Sequence, residues 1–185
     1  DDLAITEDAT HYLITDANLT LTTGTAGVIR VDANTIRVLK SAVTGGLIVN
    51  TLGEATAAAD TVTIGGDVTC DGDVTINAEF INLGGNLTTR ETTGTPQSGA
   101  IILNGAVTLT DDVELNTSAV NGAVSLTSTL DGAFDLTLNT GSGNAGVTGA
   151  VGGTISLDAL IIDDTGIVTF NSTVCATSYE QTDLD

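Results

Sequence analysis

The run from Gly99 to Asn139 reads GAIILNGAVTLTDDVELNTSAVNGAVSLTSTLDGAFDLTLN and consists of short apolar–polar–apolar units. In an extended chain this alternation sends two side chains to one face and the middle one to the other. The same unit recurs over most of the sequence, at Val62–Ile64, Val74–Ile76, Val107–Leu109, Val124–Leu126, Leu136–Leu138 and Val168–Phe170. Clusters of Gly, Asn and Asp between the units mark turns. The sequence therefore predicts an all-β architecture of many short strands.

Two further repeats indicate how those strands are arranged. An Asn follows an apolar residue at the end of several units, namely Asn50, Asn77, Asn104, Asn116, Asn139 and Asn171. Asn tolerates turn conformations, and stacked Asn side chains form amide ladders. Gly-Ala precedes an apolar residue four times, at residues 105–107, 122–124, 132–134 and 149–151, and such small residues let one coil approach the next. These repeats favour a β-solenoid with about 20–25 residues per coil.

We expect one elongated solenoid domain over residues 1–185. Its repeat signal is weaker over residues 1–60, clear over 61–176, and followed by an acidic tail at 177–185. The window from Asp32 to Val43 has apolar residues at helical spacing, but its Thr and Val content favours a strand. The alternative architecture is a β-sandwich whose subunits exchange a terminal strand.

Composition narrows the classes of function. The chain has 24 acidic and four basic residues, a formal net charge of −20, and only 3% aromatic residues. Phosphate backbones and anionic lipid repel such a surface, so we expect neither nucleic acid nor anionic membrane as a partner. No apolar stretch approaches the ~18 residues of a membrane span. The absence of an initial Met and the overall composition predict a mature product or excised segment with an extracellular or cell-surface location.

The stretch from Gly99 to Val174 also resembles a known family. Its LTLNTGSG at residues 136–143, GAVGG at 149–153 and LIIDDTGIVTF at 160–170 are similar to the β-strand repeats of filamentous-haemagglutinin-like bacterial surface adhesins. This resemblance implies a right-handed parallel β-helix on the cell surface. Because members of that family are far longer, it also implies a segment of a giant adhesin or a small protein that polymerises.

Calcium is the cofactor that the residues favour most, and otherwise none is expected. Asp67, Asp71 and Asp73 lie among glycines within a few residues, and hard cations bind carboxylate and carbonyl oxygens on tight turns. The alternative interpretation is a pair of acidic turns. Cys70 and Cys175 lack metal-ligand spacing and are candidates for a disulfide within one chain or between two.

Other chemistry is less favoured by the sequence. Asn18, Asn86, Asn116 and Asn171 lie in glycosylation sequons. The acids Asp111, Asp112, Glu114, Asp163 and Asp164 are the ones a polysaccharide-acting β-helix enzyme would use, but each lies beside a turn signal, where acids are ordinarily solvated. Threonine pairs are a feature of ice-binding solenoids, but the pairs in this sequence do not recur with a regular period. We therefore predict a protein that is not an enzyme.

The predicted function is structural. An open solenoid ends in unpaired strand edges, so we expect copies to stack head to tail into a filament of the surface or biofilm type. The contact is expected to join Tyr179 and Glu180 of one copy to the basic cluster Arg30, Arg37 and Lys40 of the next. The alternative function is a carbohydrate- or host-binding adhesin module, with surface polysaccharide as its partner.

Overall fold

The protein is built from strands that coil around one continuous core. The computed structural model describes strands within residues 5–50, together with residues 61–70, 72–90 and 98–182. In chain order the strands are β1 (Ile5–Glu7), β2 (Tyr12–Ile14), β3 (Leu19–Thr22), β4 (Val28–Val31), β5 (Thr35–Val38), β6 (Leu47–Asn50), β7 (Thr61–Ile64), β8 (Asp67–Cys70), β9 (Val74–Leu83), β10 (Leu87–Thr89), β11 (Ile101–Leu109), β12 (Val113–Asn116), β13 (Val124–Leu126), β14 (Leu130–Asp131), β15 (Leu136–Asn139), β16 (Ala145–Val147), β17 (Leu157–Asp163), β18 (Val168–Phe170) and β19 (Ala176–Gln181).

Successive coils stack their strands into three parallel ladders. Ladder 1 is the nine-stranded sheet with the order β1-β2-β5-β8-β10-β12-β15-β17-β19, in which only the β1–β2 pair is antiparallel. Ladder 2 follows the order β3-β6-β9-β11-β13-β16-β18. Ladder 3 contains β4, β7, the second halves of β9 and β11, and β14, and continues as single bridges at Val151 and Val174. Ladders 2 and 3 form one ten-stranded sheet because β9 and β11 run through both.

Each coil therefore visits ladder 1, ladder 2 and ladder 3 in turn. The register gives the coil length: Leu115 pairs with Leu138, 23 residues later, and Leu138 pairs with Ile162, 24 residues later. The step from Leu87 to Leu115 is longer, at 28 residues, because the chain between β10 and β11 is extended by an insertion. Differences in coil length are thus absorbed at the corners and leave the ladders intact.

The core is a set of columns of aliphatic side chains running along the inside of the ladders. Alternating burial along β12 and β15 sends Val113, Leu115, Leu136 and Leu138 inward, and each is at most 3% exposed. The large fully buried side chains in the described residues are all Leu or Ile, as a thin core without large rings requires. Burying each aliphatic side chain stabilises the fold by about 1.5–3 kcal/mol, and because this burial is repeated in every coil it is the main stabilising contribution.

Small residues at the corners allow the close stacking of coils. A Cβ on Gly105 would overlap the carbonyl oxygen of Ala78 in the preceding coil, and one on Gly122 would overlap the carbonyl oxygen of Gly99. These two positions begin Gly-Ala repeats, so the expectation that the repeats mark close approach is confirmed.

The all-β solenoid and all six predicted alternating units are confirmed as strands, and the strand prediction within residues 32–43 is confirmed by β5. The parallel ladders replace the β-sandwich alternative. One boundary differs: the predicted acidic tail from residue 177 lies largely within β19, which pairs with β17 as a full member of ladder 1.

Candidate functional site

The last coil, from Ile167 to Thr182, differs from those before it and is called the terminal coil. Its strands β18 and β19 and its bridge residue Val174 lie at the ends of ladders 2, 1 and 3. Within the described residues, β18 pairs with β16, β19 pairs with β17 and Val174 pairs with Val151, each on one side. Their opposite edges present backbone donors and acceptors of the kind that accept another strand.

The inner side of the terminal coil is also uncovered. Val174 continues the column of Leu130 and Val151, both 0% exposed, yet it is 39% exposed. Tyr179 continues the column of Leu136 and Leu160 and is 58% exposed, with its hydroxyl donating to Gln181. Val168, Phe170 and Ala176 pack only partly against the core. Together these side chains form an apolar end face.

Basic residues are distributed unevenly between the two ends of the solenoid. The terminal coil and its neighbour carry Asp163, Asp164 and Glu180, and the sequence has no basic residue after Arg90. Arg30 and Arg37 lie on β4 and β5, in the earliest coils of ladders 3 and 1. The structure thus places two of the predicted assembly cations at the end opposite Tyr179 and Glu180; Lys40 lies outside the described residues.

Corner acids and amides in the described coils act as hydrogen-bond acceptors for the following coil. Asp67 Oδ1 accepts the amide N–H of Asn86 at 2.9 Å, and Asn86 Oδ1 accepts that of Glu114 at 2.7 Å. Five more side chains do the same, namely Asp73, Asp112, Asn121, Asp131 and Asn144. In every case the acceptor lies one coil before the donor, so these side chains fasten successive coils together.

This role bears on the predicted calcium site. Asp73 Oδ1 accepts both the Ser98 hydroxyl at 2.5 Å and the Ala100 amide at 2.8 Å. Asp67 begins β8 and Asp73 directly precedes β9, and each bonds the next coil, whereas Asp71 lies outside the described residues. In the described part of the chain no three His, Cys, Asp or Glu side chains are grouped for a metal. Calcium binding at these aspartates stays a prediction.

The predicted Asn series separates into two columns. Asn50, Asn77 and Asn104 are in register on ladder 2, and Asn104 Nδ2 donates to Asn77 Oδ1 at 2.6 Å, which confirms an amide ladder at this pair. Asn116 and Asn139 are in register on ladder 1, where both donate to Glu114 Oε1, at 2.8 and 3.3 Å. Asn116 and Asn139 end β12 and β15, whereas Asn77 and Asn104 lie within β9 and β11. None of the four occupies a left-handed turn, since the positive-φ non-glycine residues described are Asn121 and Asp164.

A column of buried threonines was not predicted from the sequence. Thr89, Thr117 and Thr140 follow ladder 1 and are 0% exposed. Their hydroxyls donate to the carbonyls of Gly99, Gly122 and Gly143 at 2.5, 2.6 and 2.6 Å, closing the same corner in three coils. The repeated Leu-Asn-Thr at residues 115–117 and 138–140 carried the signal, but its Thr was indistinguishable from the many outward-facing threonines.

Cys70 occupies the position of this column one coil earlier. Cys70 is in register with Thr89, is 0% exposed, and its thiol donates to the Asp73 carbonyl at 3.8 Å. Cys175 is exposed in the terminal coil, next to β19, with four ladder-1 strands between β19 and the β8 strand of Cys70, and no disulfide joins the two sulfurs. The predicted intramolecular disulfide is therefore wrong, since the ladder holds the cysteines apart. An intermolecular bond to Cys70 would require the core to open.

The sequons differ in accessibility. Asn171 is exposed, whereas Asn86 and Asn116 are half-buried, with the Asn86 oxygen bonded to the following coil and the Asn116 amide bonded within its own. Asn18 lies outside the described residues.

The acids considered for catalysis include members of a groove of about 270 Å³ on the outer face of ladder 1. Asp112, Glu114 and Asp135 line it. Asp112 Oδ1 accepts the Asp135 amide at 3.0 Å, and Glu114 holds the two Asn side chains described above. Asp111 Oδ1 accepts the neighbouring Asp112 amide, and Asp163 accepts the Thr182 hydroxyl at 2.6 Å. The turn acids expected to be solvated are thus partly engaged in holding the coils.

Comparisons with protein-family models, with curated proteins and with solved structures found no match. Within the described residues, the structure contains no helix long and apolar enough to span a membrane.

Proposed function

We propose that this chain is an extracellular structural protein, a subunit or segment of a cell-surface filament or adhesin, whose solenoids join end to end through strand edges. The observation that carries the proposal is the terminal coil, whose strands have a partner on one side only among the described residues and whose inner apolar side chains are exposed. A further coil placed on this end would extend all three ladders and bury Val174 and Tyr179.

The arrangement of charge favours head-to-tail joining over contact between two terminal coils. Two terminal coils would bring Asp163, Asp164 and Glu180 of both copies together without a basic residue from the second half of either chain. A head-to-tail contact instead brings this acidic end toward the coils that carry Arg30 and Arg37. Such a contact is heterologous and does not close, so it generates filaments.

A role in catalysis is not part of this proposal. The acids weighed for it are used in part as hydrogen-bond acceptors within the solenoid. A structural filament needs a continuous series of paired strands along its length, and ladder 1 runs from β1 to β19. The family resemblance of residues 99–174 agrees with a surface location.

Negative-stain electron microscopy of the purified chain tests the proposal. The wild type is expected to form thin fibres whose length increases with salt, because screening weakens repulsion between copies of charge −20. Val174→Asp should leave single short rods, since a carboxylate on the apolar end face would be buried on joining. Ala133→Asp, at an exposed corner, is the matched control and should leave fibres intact. Wild-type rods that never join at any salt concentration would sink the proposal.

The same grids test calcium. Fibres that disperse with EDTA and return with calcium would support the predicted site at Asp67, Asp71 and Asp73, whereas fibres indifferent to EDTA would argue against a role for calcium in joining.

A further inference from the structure

The outer face of ladder 2 has no charged residue at its register positions in the described strands; Glu79 of β9 lies beyond them, at the bulge where the chain passes from ladder 2 to ladder 3. Two rows of outward residues lie on β9, β11, β13, β16 and β18 or directly after them, and backbone pairing keeps them in register from coil to coil. One row is Thr75, Ile102, Ser125, Gly146 and Thr169; the other is Asn77, Asn104, Thr127, Thr148 and Asn171. These ten residues are called the neutral face. The corresponding register positions in β3 and β6 are Thr20, Ile48, Thr22 and Asn50, which are uncharged as well.

The other two ladders do not share this property. Strands of ladder 1 carry Asp67, Glu114, Asp158, Asp163 and Glu180, and ladder 3 carries Asp131 and Arg30. In a chain with 28 charged residues, ten uncharged outward positions in register along one ladder form a distinct surface. If this face had no binding role, solubility would favour charged residues on it, as on the other two ladders.

The neutral face is accessible toward its later coils. Thr127, Thr148, Thr169 and Asn171 are exposed. Thr169 lies in β18, and the other three directly follow β13, β16 and β18, whose stacked strands are about 4.8 Å apart. Gly146 has no side chain, and a Cβ built there would meet no atom within 4 Å. Toward the earlier coils the amides of Asn77 and Asn104 bond each other, which keeps those side chains aligned along the row.

We propose that the neutral face is a lateral interface with the neutral face of a second copy of this chain. Two molecules of charge −20 can approach side by side without opposing carboxylates only where their surfaces lack charge. A second copy is the occupant that the repeat favours, because its rows have the same spacing and stay in step over every coil. Small hydroxyl and amide side chains then interdigitate as in other paired β-sheets.

This contact is separate from the end-to-end joining through the terminal coil and adds a second direction of association. Five coils at about 4.8 Å, and about 13 Å of strand width, give about 300 Å² per copy. An interface of this size is below the standard class and is weak for an isolated pair. Copies already joined end to end would present several such faces on one rod, and their lateral pairing would be strengthened by multivalency.

Cross-linking between thiols detects such a weak contact. The reporter is Thr127→Cys at the centre of the described neutral face, and the control is Ala133→Cys at an exposed corner, both combined with Cys175→Ser. The Cys175→Ser chain alone gives the background from buried Cys70. With a bifunctional maleimide, Thr127→Cys should form dimers at least about tenfold faster than the control, and faster at high salt. Equal rates for the two reporters would overturn the proposal.

A charge placed on the same face sharpens the test. Thr148→Asp added to the Thr127→Cys chain should lower the dimer rate to that of the control and leave fibre length unchanged. Val174→Asp should shorten fibres and, because multivalency is lost, lower the Thr127→Cys dimer rate while keeping it above that of the control. The two variants separate failure of lateral pairing from failure of end-to-end joining. A dimer rate unaffected by Thr148→Asp would contradict the proposal. Retention of the wild type on cellulose or at an ice surface, lost in Thr148→Asp while the dimer rates stay at background, would replace the second copy by that occupant.

Discussion

Leu136 and Tyr179 belong to one column of ladder 1, two coils apart, and differ completely in burial. Leu136 is 0% exposed, whereas Tyr179 is 58% exposed. Leu130 and Val174 in ladder 3 show the same contrast, at 0% and 39%. The residues of each pair share one register column, so a place in the column does not by itself decide burial. In a solenoid a side chain is buried by the coils on both sides of it, and a coil with one neighbour has half a core.

The largest expected effect is the loss of a core side chain from a middle coil. Leu136→Ala should lower the free energy of unfolding by about 3 kcal/mol or more, because coils on both sides hold the cavity open. Tyr179→Ala should cost below about 1 kcal/mol, as for other exposed positions. Urea unfolding followed by circular dichroism measures both. Equal losses would mean that the terminal coil is covered in solution.

The close approach of coils gives the next effect. Gly122→Ala forces a Cβ against the carbonyl of Gly99 and should destabilise the fold by about 2 kcal/mol. Gly146→Ala is the matched control on the open neutral face, where a Cβ has no neighbour within 4 Å, and should change stability by less than about 0.5 kcal/mol. Thermal unfolding of the two variants compares the loss of stability caused by an added Cβ at a corner with the loss caused by one on the open face. A harmless Gly122→Ala would show that the corner can widen.

The buried threonine column is tested by an isosteric change. Thr117→Val removes the hydroxyl that donates to the Gly122 carbonyl and leaves that buried acceptor unpaired. We expect a loss of about 1–2 kcal/mol. Thr127→Val, on the neutral face, should cost less than about 0.5 kcal/mol. If both substitutions cost the same in urea unfolding, the corner hydroxyl has no special role.

The smallest expected effect concerns the corner acceptors. Asp73→Ala removes the oxygen that bonds Ser98 and Ala100 and should cost about 1 kcal/mol. Asp73→Asn keeps an acceptor oxygen in place and should recover most of that loss, since the bond needs the oxygen more than the charge. Hydrogen exchange of the Ala100 amide gives a local readout. Faster exchange in both variants alike would assign the effect to the carboxylate charge.

Much of the fold could be predicted because its signal is local. Units such as Val124–Leu126 and Leu136–Leu138 carry their own alternation, and Gly105 and Gly122 mark corners whatever the fold around them. The function of the acids could not be assigned in the same way. Asp112 was interpreted as a solvated turn residue, but its oxygen accepts the amide of Asp135, 23 residues later.

The candidate site residues could likewise be identified from the sequence only where their signal was local. The sequence identified Asn77 and Asn104 as ladder residues, and their spacing of 27 positions became a hydrogen bond only through the register of β9 with β11. The sequence left Cys70 and Cys175 open to a disulfide within one chain or between two, because they are its two cysteines. The four strands stacked between them rule out the disulfide within one chain. The neutral face was invisible in the sequence because its rows are assembled from residues of five different coils.

By itself, then, the sequence determined strand formation, the small aliphatic core and the strong negative charge, since each depends on residue type and short-range alternation. Only the tertiary structure decided which residues become neighbours. Coil lengths vary between corners, so the register that stacks Thr89, Thr117 and Thr140, exposes Val174 and gathers an uncharged face on ladder 2 is set by how whole coils pack on each other.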